Sequence, residues 1–257
     1  MDGKILQFDG SWEGLLTAIF EVFEYRIDPK AVIDGRHVQI NLFEPRHLVT
    51  TVEAKAARVR NGLLEKVGLQ GIRELYHVYL SELETAPLLI VKTALYYFAQ
   101  QHQNGQLNYG HNEVLAVKQI VKSVLRERHR MKAFVRFQLL QDGLYVALIE
   151  PDFNVLPLIR KHFKERYADQ RWLIYDVKRH YGLYYDLQDA TEVTFGEGHD
   201  ISQHSISIGA NQQEDMYSDL WKRYFKSVNI PERKNTKLHL QHVPRRYWRY
   251  LNEKEGF

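Results

Sequence analysis

Arginine and aromatic residues alternate near the C-terminal end of the chain, in the sequence RRYWRY at residues 245–250. Aromatic rings can stack on nucleobases or on guanidinium groups, and arginine side chains can contact phosphates. The pattern therefore indicates a surface that binds nucleic acid. It is equally compatible with a terminal helix that docks through Tyr247 and Trp248 and leaves its arginines in solvent.

More basic residues lie just upstream of this run. Residues 216–228 have apolar and aromatic side chains at helical spacing, which predicts an amphipathic helix with a basic outer face. A basic, aromatic tail follows from residue 231. The cationic and polar side chains that this module adds to the candidate surface are Lys222, Arg223, Lys226, Arg233, Asn235 and Lys237.

A third basic and aromatic stretch is HRMKAFVRF at residues 129–137. Its alternation predicts a strand, on which Lys132, Phe134 and Arg136 would share one face. Such a face could stack a base on the ring and meet phosphates with the cations. The alternative is a sheet covered on both faces, with Phe134 in the core and the cations at the edges.

A predicted hairpin at residues 172–185 combines polar groups of several kinds. Asp176 and His180 lie close enough in sequence for an acid–base pair. The simpler interpretation is an ion pair at the end of the hairpin, with half-buried tyrosines beside it. Arg179 and Tyr181 are the members of this hairpin that could contact nucleic acid.

Lys161 adds one more cation, outside the apolar stripe of a helix predicted near residues 156–167. The complete set of candidate nucleic-acid-binding residues is therefore Lys132, Phe134, Arg136, Lys161, Arg179, Tyr181, Lys222, Arg223, Lys226, Arg233, Asn235, Lys237, Arg245, Arg246, Tyr247, Trp248 and Arg249.

No catalytic residue can be assigned from the sequence. The side chains that could converge as acids or bases are Glu150, Asp152, Asp176, His129 and His180, and they qualify by type only. No glycine-flanked serine of the hydrolase type, zinc-protease motif or dinucleotide fingerprint is present.

No metal or other cofactor is expected. The chain has no cysteine, which excludes a cysteine nucleophile, a thiolate zinc site and an iron–sulfur cluster held by this chain. His239 and His242 have a spacing that suits one helix face, but no carboxylate lies at a supporting position.

The charge is distributed unevenly over the 257 residues. Residues 1–121 contain 12 Lys and Arg against 14 Asp and Glu, whereas residues 122–257 contain 23 against 18. A basic C-terminal half favours an acidic partner such as nucleic acid. Because the N-terminus has no secretory signal and no apolar run is long enough to span a bilayer, we expect a cytoplasmic protein with no membrane partner.

Hydrophobic periodicity predicts an α+β fold. The first part, residues 1–128, is expected to be mostly helical after a short opening strand. That strand lies near residues 4–8 and is followed by a helix at 11–26, a strand at 38–42 and helices near 50–66, 68–84, 87–103 and 111–130.

The second part, residues 129–257, is expected to contain an antiparallel sheet flanked by helices. An Asp-Gly turn predicts a hairpin between strands at 131–140 and 144–150, and two more strands are predicted at 172–176 and 181–187. Residues 189–213 are expected to form a polar excursion. The two parts are also compatible with one continuous domain.

Several of these stretches together resemble a bacterial family of probable DNA-metabolism proteins. The resemblance is carried by residues 129–137, by the run from Glu-Pro-Asp at 150–152 to HFKERYADQRWLIYD at 162–176, and by LWKRYFKSVNIPERKNTKLHLQHVPRRYWRYL at 220–251. The opening FDGSWEGLLTAIFEVFE at 8–24 is similar as well, so nearly the whole chain is covered.

The resemblance implies a role in DNA repair or modification beside a radical-SAM protein, because that protein is encoded next to members of the family. Some members are fused to a domain of the uracil-DNA glycosylase superfamily. Since this chain lacks cysteine, the radical-SAM cluster would belong to the partner. No catalytic residues can be carried over.

Three hypotheses follow from the residues and the resemblance together. The first is an accessory protein that binds DNA or another nucleic acid and works with the radical-SAM partner. The second is a hydrolase or glycosylase-like enzyme that acts directly on nucleic acid. The third is a protein-interaction scaffold with no DNA contact, for which tyrosines of the helical part could form the interface. The charge distribution favours the first.

Overall fold

The computed structural model describes residues 3–36, 46–100, 110–140, 143–194 and 243–251. The chain divides into two compact units, Met1–Leu125 and Arg126–Phe257. Within the described ranges, every helix is too short or too polar to cross a bilayer.

The first unit combines a small parallel sheet with helices. Its elements are β1 (Lys4–Phe8), α1 (Trp12–Glu24), β2 (Pro29–Asp34), β3 (Arg46–Leu48), α2 (Glu53–Tyr79), α3 (Ala86–Ala99) and the first part of α4 (Asn112–Phe134). The sheet has the order β2-β1-β3, and both pairings of β1 are parallel.

The opening of the chain folds as its sequence predicts. β1 turns at Asp9-Gly10-Ser11, and the Ser11 hydroxyl caps α1 by accepting a hydrogen bond from the Gly14 amide at 2.9 Å. β2 was not predicted, because Pro29 and Lys30 mask its short apolar run. The strand predicted at 38–42 lies outside the described residues.

The helices of the first unit bury one continuous core with the sheet. Leu6, Leu15, Leu63 and Ile90 are fully buried in it. The helix break predicted before Gly68 appears as a kink within α2, where Gly68 has φ +65°. The prediction of a mostly helical first part is confirmed.

The second unit is built around a five-stranded sheet. Its elements are the end of α4, β4 (Gln138–Leu139), β5 (Tyr145–Ile149), α5 (Leu156–Arg166), β6 (Trp172–Asp176), β7 (Tyr181–Tyr185), β8 (Ala190–Thr194) and a C-terminal 3-10 helix (Arg245–Tyr250). The predicted α+β class is confirmed, and the sheet that was predicted as antiparallel is mostly so.

One pairing in this sheet is parallel. The strand order is β4-β5-β6-β7-β8, and among the described strands of this sheet β5 and β6 are the one pair of neighbours that is parallel. α5 connects them as a crossover helix, which is how adjacent parallel strands are usually joined. β8 was missed because it is an edge strand whose side chains are mostly polar and exposed, so its sequence resembles a loop.

The strand predicted at residues 131–140 is wrong. α4 continues to Phe134, and only Gln138 and Leu139 form strand β4. The buried positions Val121, Val124 and Met131 follow the three-to-four residue spacing of a helix, and this longer pattern prevails over the local alternation. Lys132 and Phe134 are therefore helical and do not share a strand face.

Candidate nucleic-acid interface

β5 and β6 are parallel, so both strands end at the same edge of the sheet. Residues 150–154 follow β5 and residues 177–180 follow β6. We call these two loops the carboxyl edge. In open sheets with parallel strands, ligands commonly bind outside the carboxyl ends of the strands. The C-terminal 3-10 helix contacts this edge through several side chains.

Arg179 ties the two loops of the carboxyl edge together. Its guanidinium lies 2.8 Å from the Asp176 carboxylate and also donates to the carbonyl oxygens of Pro151 and Asp152, each at 3.1 Å. Asp176 is fully buried and also accepts hydrogen bonds from the backbone amides of Lys178 and Arg179. Burial raises the pKa of Asp176, and Arg179 opposes that shift. Arg179 thus organises the edge as an internal ion pair, which is the simpler interpretation of the hairpin.

Tyr181 is also bound internally. Its hydroxyl donates a hydrogen bond to Asn154 Oδ1, which joins β7 to the loop after β5. Burial raises the pKa of this phenol well above its usual range. Tyr181 therefore remains neutral, and its hydrogen bond holds the loop after β5 against β7.

Glu127, near the end of α4, is a buried carboxylate with several donors around it. It accepts the backbone amide of Asp152 at 2.9 Å, the guanidinium of Arg246 at 3.2 Å and the hydroxyl of Tyr247. Arg130 lies one helical turn further on, at 3.5 Å. This set of donors compensates the cost of burying the charge.

The 3-10 helix places side chains that are three residues apart on the same face. Tyr247 and Tyr250 form its inner face. The Tyr247 ring is buried, with its centroid 5.9 Å from that of Phe134, and the Tyr250 hydroxyl donates to Glu150 at 2.7 Å. Burial raises the pKa of both phenols. The inner face docks the segment on the sheet.

Arg246 and Arg249 form the second face, which is directed at carboxylates. Arg246 Nη2 lies 2.7 Å from Asp152 Oδ2, in addition to its contact with Glu127. Arg249 pairs with Glu150. Both arginines thus neutralise acidic groups of this unit.

Arg245 and Trp248 form the third face. The Arg245 guanidinium is exposed and lies 5.9 Å from the centre of the Trp248 ring. The half-buried Trp248 donates its indole N–H to the carbonyl oxygen of Val243 at 3.1 Å. Among the residues that the structure describes, Arg245 has no carboxylate within ion-pair distance.

The remaining candidates lie elsewhere. Lys132 lies in the last turn of α4, and its charge adds to burial in lowering the pKa of His162 on α5. Arg136 donates to the carbonyl oxygens of Ala133 and Val135 and so caps α4. Lys161 is 88% exposed on α5, with Glu165 at 3.7 Å. The candidates that lie outside the described residues are Lys222, Arg223, Lys226, Arg233, Asn235 and Lys237.

At the carboxyl edge the acidic side chains are paired with arginines, and an exposed lysine lies beside them. Glu127, Glu150, Asp152 and Asp176 each have an arginine partner. Lys178 lies beside them and is exposed, and its amino group donates to the Asp152 carbonyl oxygen at 3.4 Å. In the described part of the chain, no three His, Asp or Glu side chains are arranged to hold a metal ion.

The residues of this candidate interface lie within a stretch that matches a known protein family. Residues 85–253 match the family described as a domain of unknown function, DUF4130. The chain belongs to this family. No curated protein and no solved structure matches it significantly. The match includes α4, the five-stranded sheet and the 3-10 helix, so every residue of the carboxyl edge lies inside the family domain.

Sequence reasoning missed Glu127, although a signal for it exists. Glu127 lies three residues after Val124 and four before Met131, which are both buried, so it occupies the apolar stripe of α4. A carboxylate at such a position needs buried partners. The pattern thus points to a polar cluster, but two of its members, Arg246 and Tyr247, lie 119 and 120 positions away.

Proposed function

We propose that this protein binds nucleic acid through the carboxyl edge and the outer face of its 3-10 helix, as an accessory in DNA repair or modification. The observation that carries the proposal is the exposed guanidinium of Arg245, supported over Trp248 beside a carboxyl edge whose own charges are already paired. An arginine of this kind is available to an external anion.

Two features support nucleic acid as that anion. The basic excess lies in residues 122–257, the half that contains the edge. Lys178 at the edge is exposed as well, and like Arg245 it has no carboxylate partner among the described residues. Cations beside an aromatic ring suit a ligand that has both phosphates and flat bases.

In this role a radical-SAM partner carries out the reaction on the nucleic acid. The support is the resemblance of residues 129–137, 150–176 and 220–251 to DNA-metabolism proteins encoded beside such an enzyme. Because the chain has no cysteine, its own residues offer no thiolates for an iron–sulfur cluster. Copurification of the two coexpressed proteins tests this part.

The binding proposal is tested by fluorescence anisotropy with a labelled oligonucleotide over a series of salt concentrations. The wild type should bind at low salt and lose affinity as salt rises. Arg245→Ala should weaken binding and reduce the slope of log affinity against log salt by about 0.7 to 0.9, the value of one phosphate contact.

Arg58→Ala is the matched control, since Arg58 is also an exposed arginine beside an aromatic ring, 5.1 Å from the centre of Phe20, but lies on α2 of the first unit. It should leave affinity and slope close to wild type. Absence of binding at low salt, or equal losses in both variants, contradicts the proposal.

A second candidate function is favoured by the convergence of Glu150, Asp152 and Asp176 at one edge. Asp152 is half exposed, so it is the carboxylate of the three that could activate a water for hydrolysis of nucleic acid. Product formed from uracil-containing or damaged DNA by stoichiometric protein, and lost in Asp152→Asn, would support this enzyme. If neither substrate gives a product, this second candidate function is excluded.

A further inference from the structure

The three faces of the 3-10 helix separate three arginines that look equivalent in sequence. All three are exposed, and each lies over the ring of a neighbouring aromatic residue. Arg246 and Arg249 are also paired with carboxylates, whereas Arg245 has no carboxylate partner among the described residues. A phosphate that approached Arg246 or Arg249 would have to compete with carboxylates already in place. Arg245 faces no such competition among the described residues.

The position of Arg245 is set by contacts that restrict the ring beneath it. The Trp248 indole is bound to the carbonyl oxygen of Val243, and its neighbour Tyr247 is buried against Phe134. A guanidinium within about 6 Å of such a ring is attracted to its face. The guanidinium of Arg245 lies within this distance of the Trp248 ring, and the residue is exposed.

We propose that Arg245, supported by Trp248, is a stacking platform for an unpaired base, so that the protein prefers single-stranded nucleic acid. This inference rests on the proposed function and specifies its ligand. Guanidinium planes and aromatic rings stack on bases that are splayed out of a strand. In a duplex both faces of each base are covered by neighbouring base pairs, so no base face is open to stack on Arg245.

Lys178 complements the platform. It lies on the loop after β6 at the same carboxyl edge, with its amino group near the Asp152 carbonyl oxygen. Arg246, the residue after Arg245, contacts the same Asp152, so a single strand whose base stacks on Arg245 can place a phosphate near a compact cation. The stacking gives the preference for a single strand, and the cations give the dependence on salt.

The decisive variant is Arg245→Lys in the full chain. Lysine keeps the positive charge but has no planar group, so it separates stacking from simple charge attraction. Arg245 is exposed and forms no ion pair with described residues, so the variant should fold as the wild type does, which circular dichroism checks. Arg245→Ala removes both properties and serves as the second variant.

Affinities are measured for single-stranded DNA, single-stranded RNA and a DNA duplex of one sequence, with poly-glutamate as a competitor. The wild type should prefer the single strands by about five- to a hundredfold, the effect expected for one stacked base. Arg245→Lys should reduce this preference towards parity while the salt slope remains. A difference between the DNA and RNA strands identifies the sugar that the site accepts.

Each other result overturns the inference in a recognisable way. Equal binding of single strand and duplex, unchanged in Arg245→Lys, removes the platform but leaves nucleic-acid binding intact. Absence of binding to all three nucleic acids removes the proposed function as well. Displacement by poly-glutamate at equal charge concentration would show that the site takes acidic protein segments instead.

Discussion

The hydroxyl of Tyr247 donates a hydrogen bond to the buried carboxylate of Glu127, which lies 120 residues earlier in the chain. This contact joins the C-terminal 3-10 helix to the end of α4. It also sets the direction of the neighbouring side chains, because Arg246 turns to Asp152 and Glu127 when Tyr247 points inward. The outward position of Arg245 is a consequence of this docking.

Tyr247→Phe should therefore destabilise the protein. The substitution keeps the ring and removes one donor from a buried carboxylate, which typically costs about 1–3 kcal/mol. Urea unfolding of the two proteins measures the difference. An unchanged free energy of unfolding would mean that the Tyr247 hydroxyl contributes nothing to docking.

Arg246→Ala and Arg245→Ala should differ in stability although both remove one arginine from the same segment. Loss of Arg246 leaves Glu127 and Asp152 without that partner and should cost about 1–3 kcal/mol. Loss of the exposed Arg245 should change the free energy of unfolding by less than about 0.5 kcal/mol. Equal effects in thermal or urea unfolding would refute the division of the helix into three faces.

Asp189 should titrate unusually low. The Lys164 side chain, the Ala190 amide and Arg160 hold the pKa of this exposed carboxyl at about 2. Because its folded pKa is depressed, Asp189 stabilises the fold above its ordinary pKa of about 3.9 and loses that contribution as the pH falls towards 2. Lys164→Met should raise the pKa of Asp189. Carboxyl NMR titration checks both values, and a wild-type midpoint near 4 would contradict this prediction.

Gly14→Ala should destabilise the first unit, although alanine is normally the better helix former by up to about 1 kcal/mol. A Cβ on Gly14 would lie 2.1 Å from Asp9 Oδ1 and 2.8 Å from Thr51 Oγ1, so it would displace the carboxylate that binds Ser11 and Thr51. Chemical unfolding measures the sign of the change. A gain in stability would show that this turn rearranges without loss.

Elements with a strong local pattern could be predicted from sequence alone. The opening strand and helix, helix α5, and the antiparallel pair β6 and β7 are confirmed. Each of these depends on residues close together in the chain. The error at residues 131–140 arose where two local periodicities overlap, and the helical register of Met131 decided between them.

The arrangement of the candidate site could be predicted only in part. The composition of residues 245–250 indicated a basic and aromatic surface, but it could not rank the arginines. That ranking depends on Glu127, Glu150 and Asp152, which lie about a hundred residues away and follow no common spacing. The parallel pairing of β5 and β6, which brings Asp176 beside the loop that carries Glu150 and Asp152, was also not visible in the sequence.

The most direct test of the central claim is the response of the tryptophan indole N–H signals to a short single-stranded oligonucleotide. The chain has four tryptophans, so a ¹⁵N-labelled sample gives few signals, which single Trp→Phe variants assign. The Trp248 signal should shift with salt-sensitive affinity. The signals of Trp172, buried in β6, and of Trp12, packed against Tyr76 and Tyr79 in the first unit, should stay in place. A Trp248 signal that does not move at saturating oligonucleotide would contradict binding at the carboxyl edge.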